Sequence, residues 1–254
     1  MTCCDFTIEL FCRVDDALPD AKKHVLSHLY PSEIVTLGLL QALRGASNRA
    51  FYNWVCKELK SLFPRLPERT RLFRLLQKHA TLTQRFLAQP SFFGVCDSYG
   101  IELIHPLREG RSQRQIGRKG KSNRRWIVGA KLAVICNDQG QIVHWGCGAG
   151  HLHDTAFHCL IEEFQDQMLI LTDKGFKARQ GNPANLKVCE RGRWNERMLI
   201  ETLFSLLTNV LKLKKLALRV WPALRARLAY VMAAFNLCTA WNGQVKLELA
   251  PFAL

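Results

Sequence analysis

The sequence predicts a mixed α/β protein preceded by a helical segment, and three observations carry the prediction. Residues 1 to 89 hold helix start and stop signals with no two-residue alternation. Between Pro90 and Cys189 the texture changes to short apolar runs closed by turn residues. Beyond Trp194 two long apolar-rich stretches return to the helical period of 3.6 residues. The predicted division is a helical accessory domain at 1–89 and an α/β domain at 90–254.

In the first domain, Ser32 after Tyr30-Pro31 is a suitable N-cap for a helix through Leu43, and Gly45 is its stop. Ser47 opens a second helix, Asn48 to Leu62, which Phe63-Pro64 ends, and a shorter helix follows Pro67. The pair about Arg44-Gly45-Ala46-Ser47 has the outline of a helix-turn-helix, which any small helical bundle also produces. Binding of DNA ends and dimerisation are both compatible with this domain.

In the second domain, Ser91 to Cys96 predicts a buried strand stopping at Asp97, and Met168 to Thr172 a second one stopping at Asp173. Trp126 to Cys136 and Gln141 to Gly146 predict a hairpin, with Asp138 spent in its turn. Asp154 is placed to cap a helix from Ala156 to Phe164, and a last short strand falls near Leu186 to Cys189. Leu224 to Trp241 predicts an amphipathic helix able to cover the sheet.

The 254 residues are 48% hydrophobic and 22% charged, values that exclude wholesale disorder. Thirty-six Lys and Arg against 21 Asp and Glu give a net charge of +15, which points to a polyanionic partner. Arg108 to Arg125 holds eight of those cations and one acid and lacks apolar periodicity, so it predicts a flexible, phosphate-gripping loop. No run reaches the roughly 18 apolar residues of a membrane span, and the first residues lack a signal-peptide pattern, so a soluble cytoplasmic protein is expected. The ten cysteines form no Cys-x-x-Cys pair and are expected to be reduced thiols. Cys147, His151, His153 and Cys159 do not fit the ligand spacings of common zinc sites.

Trp194 to Leu213 predicts a helix with a single polar stripe of Trp194, Arg197, Glu201, Ser205, Thr208 and Lys212. Arg197 and Glu201 at i, i+4 explain themselves as a surface ion pair. They also fit a carboxylate aimed into a site. Two aspartates at strand ends and a glutamate on a buried helix supply the hard oxygen donors of a two-metal phosphoryl-transfer site.

These residues resemble the DDE-type transposases of bacterial insertion sequences, whose catalytic domain has an RNase H-like fold. The matching pieces are Gly94-Val95-Cys96-Asp97-Ser98, Val128-Gly129-Ala130-Lys131, His153-Asp154, Leu171-Thr172-Asp173-Lys174-Gly175-Phe176, Arg197 to Phe204, and Ala234-Phe235-Asn236-Leu237. Tyr30 to Thr36 and Phe63-Pro64 resemble the accessory domain of one short branch. The resemblance implies an RNase H-like mixed sheet flanked by helices, with Asp97, Asp173 and Glu201 as a catalytic triad holding two Mg²⁺ or Mn²⁺. It implies DNA cleavage and strand transfer on double-stranded DNA by a homodimer, in a bacterial cytoplasm near the nucleoid. DNA contacts are expected from Trp194, Arg197, Lys131, Lys174 and Lys212, and from Arg118, Lys119, Lys121, Arg124 and Arg125 of the basic segment. The family signature Y-x2-R-x3-E-x6-K falls on Trp194, Arg197 and Glu201 and departs at Thr208, where Lys212 one turn on is expected to substitute. A nuclease of the same fold that only hydrolyses, or an inactive transposase-derived DNA-binding protein, are the alternatives.

Overall fold

The computed structural model describes residues 2–113, 115–122, 125–189 and 197–243. In chain order the elements are α1 (Cys3–Ala17), α2 (Pro31–Arg44), α3 (Asn48–Glu58), α4 (Arg69–His79), β1 (Phe93–Ile104), β2 (Arg118–Ser122), β3 (Arg125–Asn137) and β4 (Ile142–Ala149). They continue with α5 (His158–Glu162), β5 (Leu169–Thr172), β6 (Leu186–Val188), α6 (Arg197–Asn209) and α7 (Trp221–Asn242). The chain forms two compact units, one holding the residues up to Phe86 with Pro222–Cys238, the other Leu87–Trp221 with residues from Thr239.

The described elements of the first unit are helices. Thr2 and Asp5 cap α1 reciprocally, at 3.1 and 3.0 Å. α2 begins at Pro31, two residues earlier than a Ser32 cap allows: Tyr30 is the cap residue and its N–H donates to Glu33 Oε2 at 2.6 Å. Gly45 ends α2 at φ 61°, and Ser47 Oγ accepts from Ala50 N to open α3, both as the sequence predicts. α3 stops at Glu58, short of Leu62.

α7 departs from expectation in kind. Leu224, Leu228, Tyr230, Val231, Met232 and Phe235 are all buried, and so is Arg227, so the helix is enclosed on every side rather than amphipathic. Its polar groups bond within the helical unit: Arg227 Nη1 donates to Gln41 O at 2.6 Å, Tyr230 Oη to Leu76 O at 3.0 Å, and Asn236 Nδ2 to Phe86 O at 3.0 Å. These partners tie α7 into the helical unit.

The second unit is a curled mixed sheet flanked by helices. Its order is β2-β3-β1-β5-β6, with β4 also paired to β3. β3 is antiparallel to β1, β2 and β4, whereas β5 is parallel to β1 and β6 parallel to β5. β2 and β4 pair with different stretches of the long β3, which lets the sheet curl. One face packs Cys96, Ala133, Ile135, Ile170 and Met168 against Phe157, Ile161 and Phe176. On the other face Tyr99 stacks on Phe204 of α6, with ring centroids 5.7 Å apart.

Two expectations are corrected here. The basic segment is not all loop, because Arg118–Ser122 forms β2 and pairs with β3 in register from Arg118↔Gly129 to Ser122↔Arg125. The first strand does not stop at Asp97 but runs to Ile104, since β3 pairs with it along its whole length. Among the described residues no helix is long and apolar enough to cross a membrane. All ten cysteines are unbridged.

Candidate active site

β5 pairs with β1 only through Phe93↔Leu169, Gly94↔Ile170 and Val95↔Leu171, then ends at Thr172 while β1 continues. The neighbouring strands are about 4.8 Å apart, and carrying that register two residues further sets Asp173, the first residue past the end of β5, beside Asp97. Side chains alternate along a strand, so Asp97 shares a face with Tyr99, which is the face α6 covers. Glu201 lies one turn before Phe204 on α6, and therefore on the side of that helix nearest Asp97.

The end of β5 leaves a cleft of about 620 Å³. Asp97, Asp173 and Glu201 all line it, as do Asp154, the cations Lys121, Arg125, Lys131 and Lys214, and Tyr99, Thr208 and Asn209. Three distant stretches of sequence thus deliver the three acids to one opening. Among the described residues they are not drawn into a group of three at metal-holding distance.

Each acid is locally oriented. Asp97 Oδ1 accepts from Ser98 N at 2.6 Å. Asp173 Oδ1 accepts from Gly175 N at 2.8 Å and so caps the 3-10 turn Lys174–Phe176. The cap employs one oxygen of a carboxylate that has two. Glu201 is exposed on the open side of α6, whose inner face buries Ile200, Leu203 and Leu207.

Asp154 does not cap the following turn, a task that His153 performs through Thr155 N. Instead its Oδ1 accepts from Ser98 Oγ at 2.5 Å and from Lys131 Nζ at 3.0 Å. Its Oδ2 and Asp173 Oδ1 stand 2.7 and 3.0 Å from the point a Cβ on Gly175 would occupy. A side chain there would part them, so glycine is what lets the two carboxylates approach. The concentration of negative charge is felt by Cys96, whose thiol is pushed well above its usual range first by burial and then by Asp97, Cys136, Asp154 and Asp173. Burial also raises the Tyr99 phenol, with Arg125 opposing it from nearby.

Of the expected DNA contacts, Lys121, Arg125 and Lys131 line the cleft. Lys119 lies over the exposed Trp126 ring, 5.3 Å from its centroid, and Arg118 is on β2 with it. Lys174 is exposed on its 3-10 turn outside the cleft lining. Trp194 and Arg124 lie outside the described residues, as does the side chain of Arg197, whose backbone opens α6. Lys212 is not one turn further along the stripe, because α6 ends at Asn209 and the backbone at Lys212 has turned to φ 57°. The cation that reaches the cleft from this region is Lys214, whose carbonyl accepts from Glu102 N at 3.2 Å beside β1. No sequence signal singled out Lys214; the His153-Asp154 piece did mark Asp154, although capping explained it more simply.

No family model, curated protein or solved structure matches the chain.

Proposed function

We propose that this chain is a DDE-type transposase that cleaves DNA at the ends of an insertion sequence and transfers the freed strand to a target. The observation that carries it is the convergence of Asp97, Asp173 and Glu201 on one cation-rimmed cleft, from β1, the end of β5 and α6. The mixed sheet, antiparallel on one side of β1 and parallel on the other, supports an RNase H-like catalytic domain. Helices α1 to α4 support an accessory helical domain.

The donors in the cleft are carboxylate oxygens, which fit Mg²⁺ or Mn²⁺ better than softer ions. Asp97, Asp173 and Glu201 would hold a pair of them, and Asp154 adjoins Asp173. When bound, such ions supply an activated oxygen nucleophile and stabilise the attacking and leaving oxygens of a phosphodiester. The chain's own part is to bring the DNA there. Lys121, Arg125, Lys131 and Lys214 attract the phosphates to the rim, and the buried face of α6 anchors the helix from which Glu201 lines the cleft.

The test is strand cleavage and end joining on a plasmid carrying the element ends, in Mg²⁺ and in Mn²⁺. Asp97→Asn, Asp173→Asn and Glu201→Gln are each expected to abolish both reactions while the affinity for DNA stays within about twofold. Cleavage by the unaltered protein without joining would replace transposition with simple hydrolysis. Retained activity in any one variant removes that residue from the site.

A further inference from the structure

We infer that the helical unit carries a second nucleic-acid contact, a site for the phosphodiester backbone of duplex DNA formed by Arg65, Arg71 and Arg74. The identity of the partner rests on the function proposed above; the existence of an anion site rests on the residues. These three arginines and His28 line a cavity of about 590 Å³ separate from the acidic cleft. All three arginines are exposed, and none is held in an ion pair among the described residues.

The arrangement follows from α4. Leu72 and Leu76 are buried on its inner face, so Arg71, Arg74 and Lys78 fall at three- and four-residue spacing on its outer stripe. Arg74 Nε donates to Thr70 O at 3.4 Å, which steadies one guanidinium along the helix. The lone acid of the cavity, Glu68, caps α4 by accepting from Thr70 N at 3.2 Å. Its charge is thus committed to the helix N-terminus, and the cavity is left with an excess of planar cations whose forks suit phosphate oxygens.

The helix-turn-helix outline between α2 and α3 is a weaker place for DNA. Gln41 Nε2 donates to Asn48 Oδ1 at 2.8 Å, and the Arg44 guanidinium lies 4.1 Å over the Trp54 ring. Gln41, Asn48 and Arg44 of that turn are thus engaged within the unit. A contact through Arg65, Arg71 and Arg74 meets only phosphates, so it is insensitive to base sequence.

The test is DNA affinity of the full chain for two duplexes of unrelated sequence, by fluorescence anisotropy across about 50 to 200 mM salt. The combined Arg65→Gln, Arg71→Gln, Arg74→Gln variant is expected to flatten the slope of log K against log salt by about 2 to 3, equally on both duplexes. Lysine at the same three positions should restore most of it. Should the triple glutamine variant fail to fold, Arg71→Glu alone is expected to flatten the slope by about 1.

An unchanged slope, with the loss found instead in a Lys121→Gln, Arg125→Gln, Lys214→Gln variant, overturns the second site and leaves the proposed function standing. A loss confined to one duplex overturns it in favour of base reading. An unaltered protein whose DNA binding does not respond to salt overturns both.

Discussion

Asp154 illustrates how one side chain can organise others. Its Oδ1 takes the Ser98 hydroxyl and the Lys131 ammonium together, and Ser98 is the residue whose N–H orients Asp97. Asp154→Asn keeps the size but loses the charge that holds Lys131, and the expected result is a 10- to 100-fold fall in cleavage. Metal-dependent stabilisation should be retained in part, which a melting curve with and without Mn²⁺ would report. The buried thiols give a second test. Burial pushes Cys136 and Cys238 up to about 12 from an ordinary value of 9.0. A raised folded-state pKa means the native protein keeps protons that the unfolded chain has lost, so stability is full below pH 9 and falls between about 9 and 12. The denaturation midpoint should decline across that window and decline less in Cys136→Ala. In the native protein at pH 8, a maleimide should label the exposed Cys12, Cys56 and Cys159 and spare Cys96, Cys136 and Cys238.

The burial of α7 depends on a small residue facing a large one. A Cβ on Gly38 of α2 would collide with the Tyr230 ring, so glycine there lets the two helices close, and Tyr230 Oη then reaches Leu76 O. Gly38→Ala is expected to cost about 1 to 3 kcal/mol by overpacking, and Tyr230→Phe about 1 to 2 kcal/mol through the carbonyl left unpaired. Urea midpoints would measure both. Strand lengths follow a similar dependence on neighbours. Asp97 looked like a strand end because the apolar run stops there, yet β3 holds β1 together for seven residues more. Asp173 looked the same and does follow its strand's end, because its N-terminal neighbours alone are paired. The basic segment lacked an apolar pattern, but backbone pairing to β3 made a strand of Arg118–Ser122 without one.

The net charge of +15 is spread over both units, with cations about the acidic cleft in one and Arg65, Arg71 and Arg74 in the other. A carboxylate-lined cleft should be stabilised by the ion it binds: Mn²⁺ at about 100 times its dissociation constant would add roughly 2.7 kcal/mol, or several degrees in Tm. Asp97→Asn or Asp173→Asn should remove that shift. The amino-acid sequence was sufficient for the helical character of the first segment and the mixed α/β character of the second, the stop at Gly45 and the turn at Asn137, and the candidacy of Asp97, Asp173 and Glu201, because capping, turn chemistry and hydrophobic period act over a few neighbouring residues. It could not supply Asp154's partners, the arrival of Lys214 at the cleft, or the enclosure of α7. Those depend on which strands pair and which faces meet across more than 50 residues of chain, as Ser98 with Asp154 and Leu76 with Tyr230 do, and no local pattern encodes a contact whose two halves are so far apart.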